Sequence, residues 1–88
     1  MKKFIYFSAP WCGPCKTLGP IMDQIAQSGI ALQKVNIDND PALAQQYSIR
    51  NVPTVVLVDV SDPAVDTELT RTVGVQPKQV YIDIYNQH

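Results

Sequence analysis

The only two cysteines of the chain, Cys12 and Cys15, lie three residues apart in the segment "WCGPCK". Residues three apart on a helix bring their β-carbons within about 5–6 Å, which is close enough for a disulfide after a small adjustment. The pair could therefore be a redox centre, half of a metal site or a structural disulfide. A structural zinc site needs about four ligands, and the chain adds only one histidine, His88, to its cysteines. We therefore expect no metal and favour redox chemistry.

Length and composition indicate one small domain over residues 1–88, because 45% hydrophobic residues are enough for a core of that size. A net charge of −1 gives no reason to expect nucleic acid or an anionic membrane as a partner. The first apolar run, residues 4–7, is shorter than a signal-peptide core, and no stretch is long enough to span a membrane. We therefore expect a cytoplasmic monomer, and in that compartment close cysteine pairs are more often redox-active or metal-binding than structural.

Apolar spacing predicts the first strand and the first helix. Residues 4–7, "FIYF", form a continuous apolar run, which is typical of a strand covered on both faces. After the cysteines, the apolar residues recur at the spacing of one helix face. They are Leu18, Ile21, Met22, Ile25 and Ala26. Pro20 lies inside this helix, where a proline removes a backbone donor and kinks the axis.

The rest of the chain predicts three more strands and two more helices. The strands are expected at residues 31–37, 54–58 and 68–73, and a short helix at residues 41–47. Residues 79–85, "QVYIDIY", alternate like a strand, but Pro77 just before them favours a helix. The order β-α-β-α-β-β-α predicts an α/β fold with a four-stranded mixed sheet flanked by three helices. The sheet is mixed because helical crossovers pair strands in parallel and a short link gives a hairpin.

The predicted helix start makes the two cysteines chemically different. Cys12 lies at the N-terminus, where free backbone N–H groups and the positive end of the helix dipole stabilise a thiolate. Pro14 needs no backbone donor at that position, and Gly13 leaves an uncrowded approach. Cys12 is therefore the better nucleophile, and Cys15, about one turn further on, is the better resolving thiol.

These motifs together resemble those of thioredoxins. "WCGPCK" after a strand, Pro20 in the next helix, "VNID" at 35–38, "RNVPT" at 50–54 and "VG" at 73–74 follow the family's order and spacing over nearly the whole chain. Family members usually carry a further N-terminal strand and helix. The chain therefore resembles a minimal thioredoxin, of a kind common in viruses and some microbes, which suggests a phage origin.

The resemblance implies a thioredoxin-like fold and a reaction. Cys12 would attack a substrate disulfide to form a mixed disulfide, and Cys15 would then attack Cys12 and release the reduced substrate. No cofactor is implied beyond the redox-active disulfide itself. The implied substrates are disulfide-containing proteins such as ribonucleotide reductase, and the implied source of electrons is an NADPH-dependent thioredoxin reductase.

The resemblance also implies a substrate-docking surface. Pro53 resembles the family's cis-proline, and the backbone of Val52 before it would pair with an extended substrate segment. Trp11 and Gly74 would border this surface, because the indole supplies apolar contact and the glycine leaves room.

One departure from the family concerns proton transfer. Tyr6 stands where the family has a buried aspartate, six residues before the first cysteine, whereas the neighbouring lysine is retained as Lys34. We hypothesise that water or the Cys12 thiolate deprotonates Cys15, with Tyr6 and Lys34 as candidate modulators. Ser8 stands where an aromatic residue is common, which predicts a slightly more open site.

Two other functions fit the same residues. A glutaredoxin-like oxidoreductase would be recharged by glutathione, which the short chain favours and "WCGPC" disfavours. A non-catalytic subunit would lend the cis-proline surface to a partner enzyme and would not need its cysteines.

Overall fold

The apolar segments form the elements that their spacing predicts. In the computed structural model, which describes residues 1–88, the order is β1 (Lys2–Ser8), α1 (Gly13–Gln27), β2 (Leu32–Asn36), α2 (Pro41–Gln46), β3 (Thr54–Asp59), β4 (Thr67–Val73) and α3 (Lys78–Gln87). The strands form one sheet in the order β2-β1-β3-β4. β1 pairs with β2 in parallel, whereas β1 with β3 and β3 with β4 are antiparallel. The predicted mixed sheet with three helices is confirmed.

The sheet separates two apolar clusters, because alternate residues of the central strands β1 and β3 point to opposite faces. Phe4 and Tyr6 face α1 and α3, whereas Ile5 and Phe7 face α2. The first cluster contains Phe4, Tyr6, Leu18, Met22, Ile25, Val55, Leu57 and Tyr81. The second contains Ile5, Phe7, Val35, Tyr47, Val56 and Val58. This burial on both faces explains the continuous apolar run of β1.

The helix ends follow local capping chemistry. The Asp40 carboxylate accepts a hydrogen bond from the Leu43 N–H at 3.1 Å, and Pro41 is the first residue of α2. Pro20 lies inside α1 without ending it. A proline crowds the β-carbon of a preceding helical residue, and Gly19, which has no β-carbon, precedes Pro20. None of the helices is both long and apolar enough to cross a membrane.

Residues 79–85 form part of α3, so the helical interpretation of this segment is confirmed. Tyr81 is fully buried, and its ring meets that of Phe4 edge to face at a centroid distance of 6.3 Å. Its hydroxyl oxygen accepts a hydrogen bond from the Gln76 N–H at 3.1 Å. Tyr81 thereby fixes the turn that contains Gly74, between β4 and α3, to the core.

We expect Tyr81→Phe to lower the free energy of unfolding by about 1–3 kcal/mol, because a partly buried N–H loses its partner. Tyr85→Phe is the matched control: the Tyr85 ring also packs on Phe4, at 5.9 Å, but its hydroxyl makes no hydrogen bond within the chain. The control should change stability by less than about 0.5 kcal/mol. Urea unfolding of the two variants measures both values. Equal losses would show that the Gln76 contact does not stabilise the fold.

Candidate active site

The two cysteines lie where the central strand ends and the first helix begins. β1 ends at Ser8 and α1 starts at Gly13, so Cys12 caps the helix and Cys15 lies in its first turn. A disulfide joins them across a Cα–Cα distance of 5.3 Å. Both are buried, with only 4% of Cys12 and 6% of Cys15 exposed. The exposed residues Gly13 and Pro14 between them leave this buried pair just beneath the surface.

Cys12 occupies the electropositive position at the helix start. Its Sγ accepts a hydrogen bond from the Cys15 backbone N–H at 3.2 Å, and its own N–H donates to the Ala9 carbonyl at 3.1 Å. The first turn of α1 carries no acidic residue. A negative charge on this sulfur is therefore stabilised by a directed N–H donor and the helix dipole, with no opposing carboxylate in the same turn.

The segment before β3 lies against the cysteines. The Val52–Pro53 peptide bond is cis, Pro53 is buried, and the Val52 side chain packs on the cluster formed by Cys12, Cys15 and Ala9. The Pro53 carbonyl accepts a hydrogen bond from the Gly74 N–H at 2.8 Å. The N–H and C=O groups of Val52 have no backbone partner in the chain. Val52 thus offers a free donor and a free acceptor beside the disulfide.

Gly74 occupies a turn that favours glycine. Its φ of 83° lies in the left-handed region, where a side chain is strained. The hydrogen bond to Pro53 places this turn beside the segment that carries Val52.

Trp11 borders a shallow groove next to Cys12. The indole is 68% exposed, and its Nε1–H donates to the Asp38 carboxylate at 3.4 Å. The groove has a volume of about 190 Å³, and we call it the docking groove. It is lined by Trp11, Ile37, Ile49, Arg50, Asn51 and Val52.

Sequence reasoning missed the hydrogen bond between Asp38 and the Trp11 indole at the edge of this groove. The parallel pairing of β1 and β2 places Ser8 opposite Asn36, so the residues that follow both strands meet at one edge of the sheet. This predicted pairing was the signal that could have placed Asp38 beside Trp11.

Tyr6, which replaces the expected buried acid, contacts Cys15 through the backbone. Only 3% of Tyr6 is exposed, and its hydroxyl donates a hydrogen bond to the Cys15 carbonyl at 2.9 Å. Burial raises the pKa of the Tyr6 hydroxyl. The phenol is therefore protonated at neutral pH and acts as a hydrogen-bond donor to the first turn of α1.

Lys34 forms an ion pair with Asp23 of α1, and both side chains are about half exposed. It also lines an open depression of about 390 Å³ in the surface beside Cys15, which we call the Cys15 cavity. The cavity is lined by Tyr6, Ser8, Ala9, Pro10, Cys15, Lys16, Gly19, Lys34 and Asn36. Ser8, one of these lining residues, is half-buried.

The residues of the chain do not assemble a metal site. No group of three or more histidine, cysteine, aspartate or glutamate side chains is placed to hold an ion. His88 follows the end of α3.

Comparisons with known proteins agree with this geometry. The thioredoxin family model matches residues 2–83. The thioredoxin of Chlamydia caviae is 40% identical over 86 residues, which cover 96% of this chain and 79% of that protein. Thioredoxin 1 of Synechococcus elongatus is 39% identical over 85 residues, with 93% and 75% covered.

Solved structures show the same fold. A mutant thioredoxin from Halobacterium salinarum superposes with a TM-score of 0.85 at 32% identity, covering 98% of this chain and 73% of that one. Mitochondrial thioredoxin 3 from Saccharomyces cerevisiae, in its oxidised form, gives 0.80 at 26% identity, with 97% and 77% covered. Sequence match, fold and cysteine geometry lead to one conclusion: the chain belongs to the thioredoxin family and is a thiol–disulfide oxidoreductase whose dithiol is Cys12 and Cys15.

Proposed function

We propose that this protein reduces disulfides in other proteins, with Cys12 as the attacking thiolate and Cys15 as the resolving thiol. The observation that carries this assignment is the hydrogen bond from the Cys15 N–H to Cys12 Sγ at the start of α1. This donor and the helix dipole stabilise a thiolate at Cys12. Cys15 lies further into the helix, where Tyr6 binds its carbonyl group.

The reaction takes place in two exchanges. The Cys12 thiolate attacks one sulfur of the substrate disulfide, and the other sulfur leaves as a thiolate that takes up a proton. Cys15 then loses its proton and attacks Cys12 Sγ, which breaks the mixed disulfide and releases the second substrate thiol. The substrate gains two electrons and two protons, and the protein is left with the Cys12–Cys15 disulfide. A Cα–Cα distance of 5.3 Å lies in the usual range for such a bond.

The substrate would lie as an extended segment across the docking groove. The unpaired N–H and C=O of Val52 can bond its backbone, as an added strand does. Trp11 supplies an exposed apolar surface beside Cys12, and Gly74 leaves space on the Pro53 side. This arrangement favours proteins over small disulfides, because most of these contacts are made to a chain that extends beyond the reacting sulfurs.

The thioredoxin family acts on disulfide-containing proteins and is regenerated by thioredoxin reductase. For this chain we propose regeneration by an NADPH-dependent thioredoxin reductase in the cytoplasm, with ribonucleotide reductase as one candidate substrate. The electrons pass only through the cysteine pair, so the proposed reaction needs no other cofactor.

Replacing Cys15 by serine should trap the mixed disulfide. With Cys15→Ser, Cys12 can still attack a protein disulfide such as that of insulin, but no thiol remains to release the product. Mass spectrometry should then find a covalent adduct on Cys12. The matched variant Cys12→Ser should form at least about tenfold less adduct, because it lacks the stabilised thiolate. If Cys12→Ser gave more adduct than Cys15→Ser, the two roles would be reversed.

Trp11→Ala should lower kcat/KM for reduction of insulin about tenfold, which corresponds to about 1.4 kcal/mol, a typical loss for an exposed tryptophan at a contact surface. The matched control is Val65→Ala, since Val65 is another exposed apolar residue, on the loop between β3 and β4. Its kcat/KM should stay within about twofold of the unmodified protein. An equal effect on a small disulfide reagent would show that Trp11 acts on the thiolate and not on docking.

The source of electrons separates the proposed function from its two rivals. We expect insulin reduction to proceed with NADPH and thioredoxin reductase at least about tenfold faster than with glutathione, NADPH and glutathione reductase. Faster turnover with glutathione would assign the protein a glutaredoxin-like role. A protein with both cysteines replaced by serine should lose all activity. If it still activated a partner enzyme, it would be a binding subunit.

A further inference from the structure

The Cys15 cavity is separate from the surface that receives the substrate. It lies between the end of β1, β2 and the start of α1, and it shares no lining residue with the docking groove. Its volume of about 390 Å³ has room for roughly ten water molecules, at about 30 Å³ each. Cys15 is therefore the one cysteine that lines a solvent-sized space away from the bound substrate.

The resolving step needs an acceptor for the Cys15 proton. At that stage Cys12 Sγ is bonded to the substrate sulfur, so the Cys12 thiolate no longer exists to accept it. The charged and titratable groups that line the cavity with Cys15 are Tyr6 from β1, Lys34 from β2 and Lys16 from α1. No carboxylate is among the lining residues.

None of these three groups is suited to accept a proton at neutral pH. The Tyr6 hydroxyl is protonated and donates its hydrogen to the Cys15 carbonyl. The ammonium groups of Lys16 and Lys34 are donors without an acceptor lone pair. The Asp23 carboxylate binds Lys34 at the helix surface and does not line the cavity.

We propose that water in the Cys15 cavity accepts the Cys15 proton during resolution, and that the small residues Ser8 and Gly19 keep this cavity open. The Cys15 S–H bond breaks and its proton passes to water. The Cys15 thiolate then bonds to Cys12 Sγ, and the substrate sulfur leaves with the electron pair and takes a proton from solvent. This inference rests on the proposed role of Cys15 as the resolving thiol.

The two small residues line the cavity from different elements, Ser8 from the end of β1 and Gly19 from α1. Ser8 is half-buried, and a β-carbon built on Gly19 would meet no atom within 4 Å. Because both residues line the cavity, we expect a larger side chain at either position to take up space that water would fill. Tyr6 acts here as a positioning residue, because its hydrogen bond holds the backbone of Cys15 against β1.

Filling the cavity should slow resolution without slowing attack. In stopped-flow mixing with dithiobis(nitrobenzoate), the first nitrothiophenolate released reports attack by Cys12, and the second reports closure by Cys15. Ser8→Phe should slow closure about tenfold at neutral pH and move the midpoint of its pH profile up by about one unit, since less water surrounds the ionising thiol. The concentration-dependent first release should change less than about twofold.

A second cavity-filling substitution lies on α1. Gly19→Phe is made together with Pro20→Ala, because a side chain before Pro20 would be crowded, and it is compared with Pro20→Ala alone. We expect the same slowing and the same upward shift. Gln24→Phe, which adds the same ring at an exposed position of α1 outside the cavity, should leave closure unchanged. Circular dichroism and thermal unfolding establish that each variant is folded.

Three outcomes would overturn the inference. First, the rate and the pH profile of closure in both cavity-filling variants, Ser8→Phe and Gly19→Phe, could equal those in Gln24→Phe. Ser8→Ala, which removes the hydroxyl without filling the space, could slow closure as much as Ser8→Phe. Tyr6→Phe could slow closure and flatten its pH profile where the fillers do not, which would make Tyr6 the proton acceptor. By contrast, if Cys15→Ser released no first nitrothiophenolate, the assignment of Cys12 as the attacking thiolate would be contradicted, but not the proposed role of the cavity.

Discussion

The chemistry of this protein depends on one hydrogen bond, from the Cys15 N–H to Cys12 Sγ, and the fold provides the geometry for it. That donor is free only because Cys15 lies in the first turn of α1, where backbone N–H groups have no partner within the helix. The position of this first helical turn is set by β1. This strand is buried on both faces in the interior of the sheet, and the chain passes from its end to the start of α1. A buried, rigid strand thereby holds the end of a helix at the surface, where its dipole and donors can act on a sulfur.

The presence of Tyr6 in place of a buried acid changes the packing and the hydrogen bonding next to Cys15. A carboxylate there would have to be desolvated within an apolar cluster, which is costly unless it is paired. The phenol instead packs its ring into the cluster with Phe4 and Leu18 and directs its one donor to the Cys15 carbonyl. The fold gains packing and a tie between β1 and α1, but loses an internal proton acceptor. Solvent access to Cys15 then has to replace what the acid would have supplied.

Most of the fold and the reacting residues could be predicted from the sequence, because both depend on local patterns. Apolar spacing locates the strands and helices to within a few residues, and Pro77 identifies α3 despite its strand-like alternation. Local patterns alone do not place the side-chain contacts. The Lys34–Asp23 pair depends on how α1 lies on the sheet, whereas the Trp11–Asp38 hydrogen bond depends on the parallel pairing of β1 with β2. The donor role of Tyr6 likewise requires the position of the Cys15 carbonyl, which no local pattern gives.

The placement of the two cysteines divides the two exchanges between different surfaces. Cys12 packs beside Val52, next to the docking groove, so a substrate bound as proposed would cover its side of the site. Cys15 lines a cavity bounded by β1, β2 and α1 that shares no lining residue with the docking groove. Such a substrate would exclude water from the Cys12 sulfur, while the cavity beside Cys15 would stay open to solvent. Under the proposed mechanism, this division lets one small domain combine substrate recognition at the groove with proton release at the cavity.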